Sequence, residues 1–190
     1  MRLVLHVLMK SARLVALLAA LLIAAERLHA AALQEYQVKA VFLFNFTQFV
    51  EWPAATTADA TEPIFICILG EDPFGAYLED AIRDEHVDNR VLAVRRLSAA
   101  DDAQACRILF ISRSESARVD AILQHLKPST ALTVSDARGF GERGGMVGFV
   151  TEDNRVRLRI NLEAARAAGL TISSKLLRVA DVVADQGTVR

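Results

Sequence analysis

The chain offers little from which to build a chemical centre. It has only four histidines and two cysteines in 190 residues. His6 and His29 fall within the first thirty residues, and neither His86 nor His125 has a cysteine, a second histidine or a carboxylate beside it at ligand spacing. That pattern argues against a zinc site, which needs three or four such groups on one ion. No dense basic patch appears either, and the formal net charge is −1, so nucleic acid is not an expected partner. Long apolar runs are also missing: the longest early one, Leu14 to Ala25, is shorter than the roughly 20 residues that span a bilayer.

What that run does suggest is export. Basic Arg2, Lys10 and Arg13 precede it and the small residues Ala30, Ala31 and Ala32 follow, the order of a secretory signal. Residues 1–32 are therefore expected to be a cleaved leader, and 33–190 a single domain long enough for a real core. Without the leader's four basic residues and one acid, 18 basic residues face 22 acidic ones. In an oxidising compartment Cys67 and Cys106 are free to pair. The alternative is two separate buried small apolar residues.

Residues 36–52 (YQVKAVFLFNFTQFVEW) read as a helix ending at Pro53, with Val38, Val41, Phe42, Phe46 and Phe49 on one face. Leu43 and Phe44 widen the apolar surface, so this helix needs cover from a core or from a partner. Ile64 to Leu69 (IFICIL) is a central-strand run closed by a turn at Gly70 to Pro73. Phe74 to Arg83 reads as a helix, Val91 to Leu97 and Ile108 to Ile111 as strands. A helix from Ser112 to Lys127 and a strand at Ala131 to Val134 follow. Met146 to Thr151 and Arg155 to Asn161 form a hairpin across Glu152, Asp153 and Asn154. The expected fold is α/β and three-layered: a mostly parallel sheet, helices on both faces, and an antiparallel hairpin near one edge.

The end of the chain supplies a sharp joint. Asn161 suits the N-cap of a helix from Leu162 to Ala168, and Gly169 its C′ position. A second helix starting at Thr171 or Ser173 carries Leu176, Leu177 and Val179. Gly139 to Gly144 matches G-x-G-x-x-G but leads into a strand, whereas a dinucleotide fingerprint leads into a helix. Ser173, Ser174 and Lys175 are too close in sequence to face one another as a nucleophile and its base. The acidic pairs Asp101-Asp102 and Glu152-Asp153 read as turn formers. No catalytic group, metal or cofactor is expected. Arg155, Arg157 and Arg159 alternate along one strand face, either for solubility and edge protection or to grip an acidic partner.

Taken together, YQVKAVFLFNFTQFVEWP (36–53), CILGEDPFG (67–75), CRILFIS (106–112), LTVSDARGFGERGGMVGF (132–149) and RVRLRINLEAARAAGLTISSKLL (155–177) resemble the YfiR/HmsC-like family of exported bacterial proteins. The resemblance implies a periplasmic, often dimeric α/β protein that represses a membrane-bound diguanylate cyclase through its periplasmic segment. An outer-membrane lipoprotein or a redox change would relieve that repression, raising cyclic di-GMP and favouring biofilm. Cys67 and Cys106 match the pair shared widely in the family. A further pair that some members carry around the glycine-rich loop is missing from this sequence, so redox control would have to act through Cys67 and Cys106. Arg155, Arg157, Arg159 and Lys175 become the expected partner-binding residues. The other reading is a small-molecule sensor with a pocket at the carboxyl ends of the strands, near Asp72, Phe74, Ser135 and Asp136.

Overall fold

The computed structural model describes residues 32–53, 62–127, 129–153 and 155–183. The chain divides into two compact units, Met1–Glu35 and Tyr36–Arg190, and the second carries the α/β fold. The expected leader lies outside the described residues, apart from Ala32. Among the described residues no helix is long and apolar enough to cross a membrane.

The helical run that covers residues 32–49 contributes residues 36–49 to this unit as α1 and passes directly into strand β1 (Val50–Glu51). Then come β2 (Ile64–Leu69), α2 (Tyr77–Ile82), β3 (His86–Val87), β4 (Arg90–Leu97) and a 3-10 turn over Ala100–Ala105. After β5 (Cys106–Ile111), a second 3-10 turn over Arg113–Arg118 leads into α3 (Val119–His125) and β6 (Leu132–Ser135). The unit ends in β7 (Val147–Glu152), β8 (Arg155–Asn161), α4 (Leu162–Ala167), β9 (Thr171–Ile172), α5 (Ser174–Leu177) and β10 (Ala180–Val183).

Eight strands form one sheet in the order β10-β8-β7-β6-β5-β2-β4-β3. Within it, β7 with β8 and β3 with β4 pair antiparallel, and the other neighbours are parallel. Alternation along the central strands explains why both faces need cover. On β2, Ile66 and Ile68 join one core cluster while Cys67 and Leu69 join the other; on β5, Ile108 and Phe110 divide from Leu109 and Ile111 in the same way. The first cluster is closed by α1, α2, α4 and α5, through residues such as Phe46, Leu78, Ala165 and Leu176. The second is closed by α3, through Val119 and Ile122. The fold is the three-layer α/β arrangement that the residue pattern predicts, with its hairpin next to the edge strand β10.

Cys67 and Cys106 are bonded, with Cα atoms 5.8 Å apart. A regular ladder would forbid this. Cys67 lies opposite Leu109 on β5, and three residues further back the side chain would emerge on the other face. The register shifts between Phe65 and Ile66, whose partners are Cys106 and Ile108, so an extra residue in β5 turns Cys106 to the face of Cys67.

Several elements differ from the sequence expectation. The buried face of α1 is set by Lys39, Ala40, Leu43, Phe46 and Thr47, while Val38 and Val41 are exposed. The face is rotated from the expected apolar stripe because an apolar period treats lysine as a surface residue. Helix α2 is shorter than Phe74 to Arg83: the Asp72 carboxylate accepts the Phe74 N–H at 2.7 Å and holds the chain in a turn before it. The final helix stops at Leu177, and Val179, expected on it, is exposed beside β10, which pairs parallel with β8. The short strands β1 and β9 have no counterpart in the sequence reading; they pair antiparallel, fastening the end of α1 to the joint after α4.

That joint has the predicted chemistry. Asn161 Oδ1 accepts the Ala164 N–H at 2.9 Å, and its amide donates to the Gly141 carbonyl at 2.9 Å. At the far end of α4, Gly169 at φ +78° donates to the Arg166 carbonyl and Leu170 to that of Ala165, both at 2.9 Å, a complete Schellman closure. The glycine-rich segment 139–145 is a loop folded on itself, with Gly145 N–H donating to the Phe140 carbonyl at 2.9 Å before β7 begins. A Cβ on Gly145 would lie 2.2 Å from the Phe140 ring, which is 1% exposed and has nowhere to retreat. Gly145→Ala is therefore expected to cost about 1–3 kcal/mol by overpacking. Urea unfolding checks it, and an unchanged midpoint would refute the steric account.

Candidate functional site

The sheet turns in two directions from its centre. From β2 the chain crosses to β4 on one side, and from β5 it crosses to β6 on the other, so β2 and β5 flank a topological switch point. In open α/β sheets the carboxyl ends of the strands at such a point are the usual place for a site. In this fold the loops after β2, β5 and β6 deliver Asp72 and Phe74, Arg113, and Asp136.

Of the residues expected there, Ser135 and Asp136 are buried and committed to internal bonds. Ser135 Oγ donates to the Ile111 carbonyl at 2.6 Å and accepts the Ala137 N–H at 2.9 Å, so it ties the ends of β5 and β6 together. Asp136 Oδ2 accepts from Lys39 Nζ at 2.8 Å, from the Tyr36 hydroxyl at 2.7 Å and from Arg113 at 3.4 Å. The Lys39 and Asp136 side chains are each only 1% exposed. Phe74 is equally buried, edge-on to both Tyr36 and Phe110 at centroid distances of 5.5 and 4.8 Å. Asp72 instead holds Arg96, which also reaches Glu79 at 2.6 Å.

The switch point is thus occupied by the protein's own first helix. Tyr36 and Lys39, one turn apart on α1, reach Asp136, and the ammonium also lies 4.3 Å from the centroid of the Tyr36 ring. Desolvating an ammonium and a carboxylate is costly, so the pair specifies where α1 sits more than it adds to stability. Asp136 Oδ1 remains buried without a hydrogen-bond partner. Among the described residues no group of three or more histidines, cysteines or carboxylates is arranged to hold a metal ion.

The arginine row is at the other end of the sheet. Leu158 and Ile160 point into the core shared with α1, so Arg155, Arg157 and Arg159 face the opposite side. Arg159 is half-buried and reaches Glu152 at 3.1 Å and Glu142 at 3.7 Å; Arg157 reaches Glu152 at 3.5 Å. Arg155 and Arg157 are exposed. Lys175 is not brought to them: it is exposed on α5, whose Leu176 packs against the other face of the sheet.

Residues 36–181 match the YfiR/HmsC-like family. The chain belongs to that family. YfiR/HmsC-like proteins are periplasmic regulators of diguanylate cyclase signalling and are not known as enzymes. No curated protein matches the chain. Among solved structures it is similar to the ABC domain in complex with L-Trp from Streptococcus pneumonia, at 10% identity and a TM-score of 0.50, covering 80% of this chain and 60% of that one. It is also similar to a conserved domain protein from Vibrio cholerae, at 12% identity and a TM-score of 0.47, covering 62% and 54%. The chain therefore spans only a little over half the length of those structures, and at such identities the first supports the α/β fold alone. The YfiR/HmsC-like match begins at Tyr36, the first residue of α1 to reach Asp136.

Proposed function

We propose that this protein is exported to the periplasm and represses a membrane-bound diguanylate cyclase by docking on its periplasmic segment, so lowering cyclic di-GMP and restraining biofilm growth. Family membership over 36–181 carries the reading. The fold supports it in one respect: the carboxyl-end polar groups that an α/β enzyme would turn toward a substrate are in this protein engaged internally, Asp136 with Tyr36 and Lys39 of α1, Ser135 with the ends of β5 and β6, and Asp72 with Arg96. A homodimer is the expected repressing form, with relief coming from an outer-membrane lipoprotein or from the state of the Cys67–Cys106 bond.

The exposed part of the arginine row is the proposed docking contact. Arg155 and Arg157 present charge on the face of the sheet away from α1, and guanidinium groups there fit an acidic segment of the cyclase. Lys175, on the other side of the sheet, would need a second contact with the same partner. The test is co-purification of the tagged protein with the cyclase from detergent-solubilised membranes, alongside cellular cyclic di-GMP. The double variant Arg155→Ser, Arg157→Ser is expected to weaken capture about tenfold or more, as loss of charged hydrogen bonds does, and to raise cyclic di-GMP. Undiminished capture would remove the arginines from the interface; no capture of the cyclase by the wild-type protein would remove the function itself.

A further inference from the structure

Helix α1 packs one face into the core and leaves the opposite face uncovered among the described residues. Lys39 is the only charged residue in 36–49, and it is buried against Asp136. The outward face therefore has no charge: Gln37, Val38, Val41 and Gln48 are exposed and Asn45 is half-buried. The other helices differ. Asp80 on α2, Asp120 on α3, Glu163 and Arg166 on α4 and Lys175 on α5 are all exposed. Depletion of charge with retained apolar surface marks the centre of an interface more than a solvated face.

The outward residues also have a period. Val38, Val41, Asn45 and Gln48 are separated by three, four and three residues, the spacing of the a and d positions of a two-stranded coiled coil. Val38 and Val41, one turn apart, are 41% and 51% exposed. The flanking e and g positions, where charges commonly select the partner, hold Gln37, Phe42, Phe44 and Phe49. These three phenylalanines are half-buried and pack against the core beneath, so the orientation of the seam is fixed by the fold. The side-chain amides of Asn45 and Gln48 have no hydrogen-bond partner among the described residues.

Such a face suits a second copy of itself. Across a twofold axis running along the helix each residue meets its own counterpart, so a charged residue there would face its like and repel it. Here valine would meet valine, and an amide, which both donates and accepts, would meet an amide. An asparagine at a single a position also sets the register of such a pair. We propose that a second copy of this chain covers the outward face of α1, in a parallel helix pair that sets Val38, Val41 and Asn45 against their counterparts. The inference rests on the homodimer reading above and gives that dimer a surface. It does not depend on the arginine row or on the cyclase.

Analytical ultracentrifugation of the mature protein tests it. The wild type is expected to sediment as a dimer in a concentration-dependent equilibrium. Val41→Lys, at a position half in solvent in the single chain, is expected to weaken the dimer about tenfold or more, through lost valine burial and like charges at the axis, with an unchanged circular dichroism spectrum. Asn45→Val is expected to tighten the dimer several-fold, because a polar a residue lowers coiled-coil stability while it fixes register. Should Val41→Lys fold poorly, Asn45→Val decides. A wild-type dimer unaltered by both substitutions would overturn this surface and leave the homodimer standing, whereas a monomeric wild type would overturn both. A Val41→Lys protein that stays dimeric but no longer captures the cyclase would give the face to the cyclase and overturn the helix pair.

Discussion

Asp136→Ala, with Lys39 left in place, is expected to lower the unfolding free energy by about 3–5 kcal/mol, as removal of one member of a buried ion pair does. The Lys39 ammonium is sealed from solvent, with the faces of Tyr36 at 4.3 Å and Phe149 at 5.9 Å nearby, and it would lose its buried carboxylate partner. Tyr36 and Arg113 would lose the same acceptor. For a domain of this size the melting temperature should fall by roughly 10 °C. Replacing both charges at once, as Lys39→Met with Asp136→Leu, should recover most of the loss, because well-packed apolar substitutes avoid the desolvation cost entirely. A double-mutant cycle built on these variants gives the coupling. Hydrogen exchange adds a readout of position: in the single variant the amides of α1 should exchange faster than those of β2 or β5, because α1 has lost its anchor while the central strands keep both layers of cover. An Asp136→Ala protein within about 1 kcal/mol of wild type would show that the pair does not anchor α1.

This anchor also marks the limit of what can be read from the chain. The central strands are legible because IFICIL and CRILFI are apolar at nearly every position that meets a helix layer, and both faces of a parallel sheet demand that. The hairpin from Val147 to Asn161 is legible from its period of two, and the α4 joint from Asn161 and Gly169, each of which has a backbone reason to be there. Lys39 is not legible. Its burial depends on Asp136, 97 residues away, and no local pattern distinguishes a lysine that finds such a partner from one in water. The same blindness rotates the expected apolar face of α1 so that it includes Val38 and Val41, which are exposed. Asp136 and Ser135 stand out as polar groups at a strand end, but what they touch belongs to other segments. Segments that are weakly apolar and very short, such as β9 and β10, carry no period long enough to separate strand from helix.

Loss of the Cys67–Cys106 bond is the second large effect expected. The bond closes a separation of 39 residues, and in the chain-entropy account such a loop stabilises the fold by about 4 kcal/mol. Cys67 is wholly buried and Cys106 is 6% exposed, both within the cluster under α3. A thiolate reaches them only when that layer opens, so dithiothreitol should reduce the native protein slowly and the urea-loosened protein fast. Once reduced, the protein should melt roughly 10 °C lower, and Cys67→Ala with Cys106→Ala should show a similar fall without reductant. The geometry of β5 gives the loss a direction. The extra residue that turns Cys106 toward Cys67 interrupts the ladder with β2, and without the bond only hydrogen bonds and packing keep that irregularity in place. Loosening should therefore begin at the amino ends of β2 and β5, where amide exchange would rise first, and spread toward Thr130 before β6. Two titratable thiols with an unchanged melting temperature would refute the stabilising role, and with it any redox control that works by softening the fold.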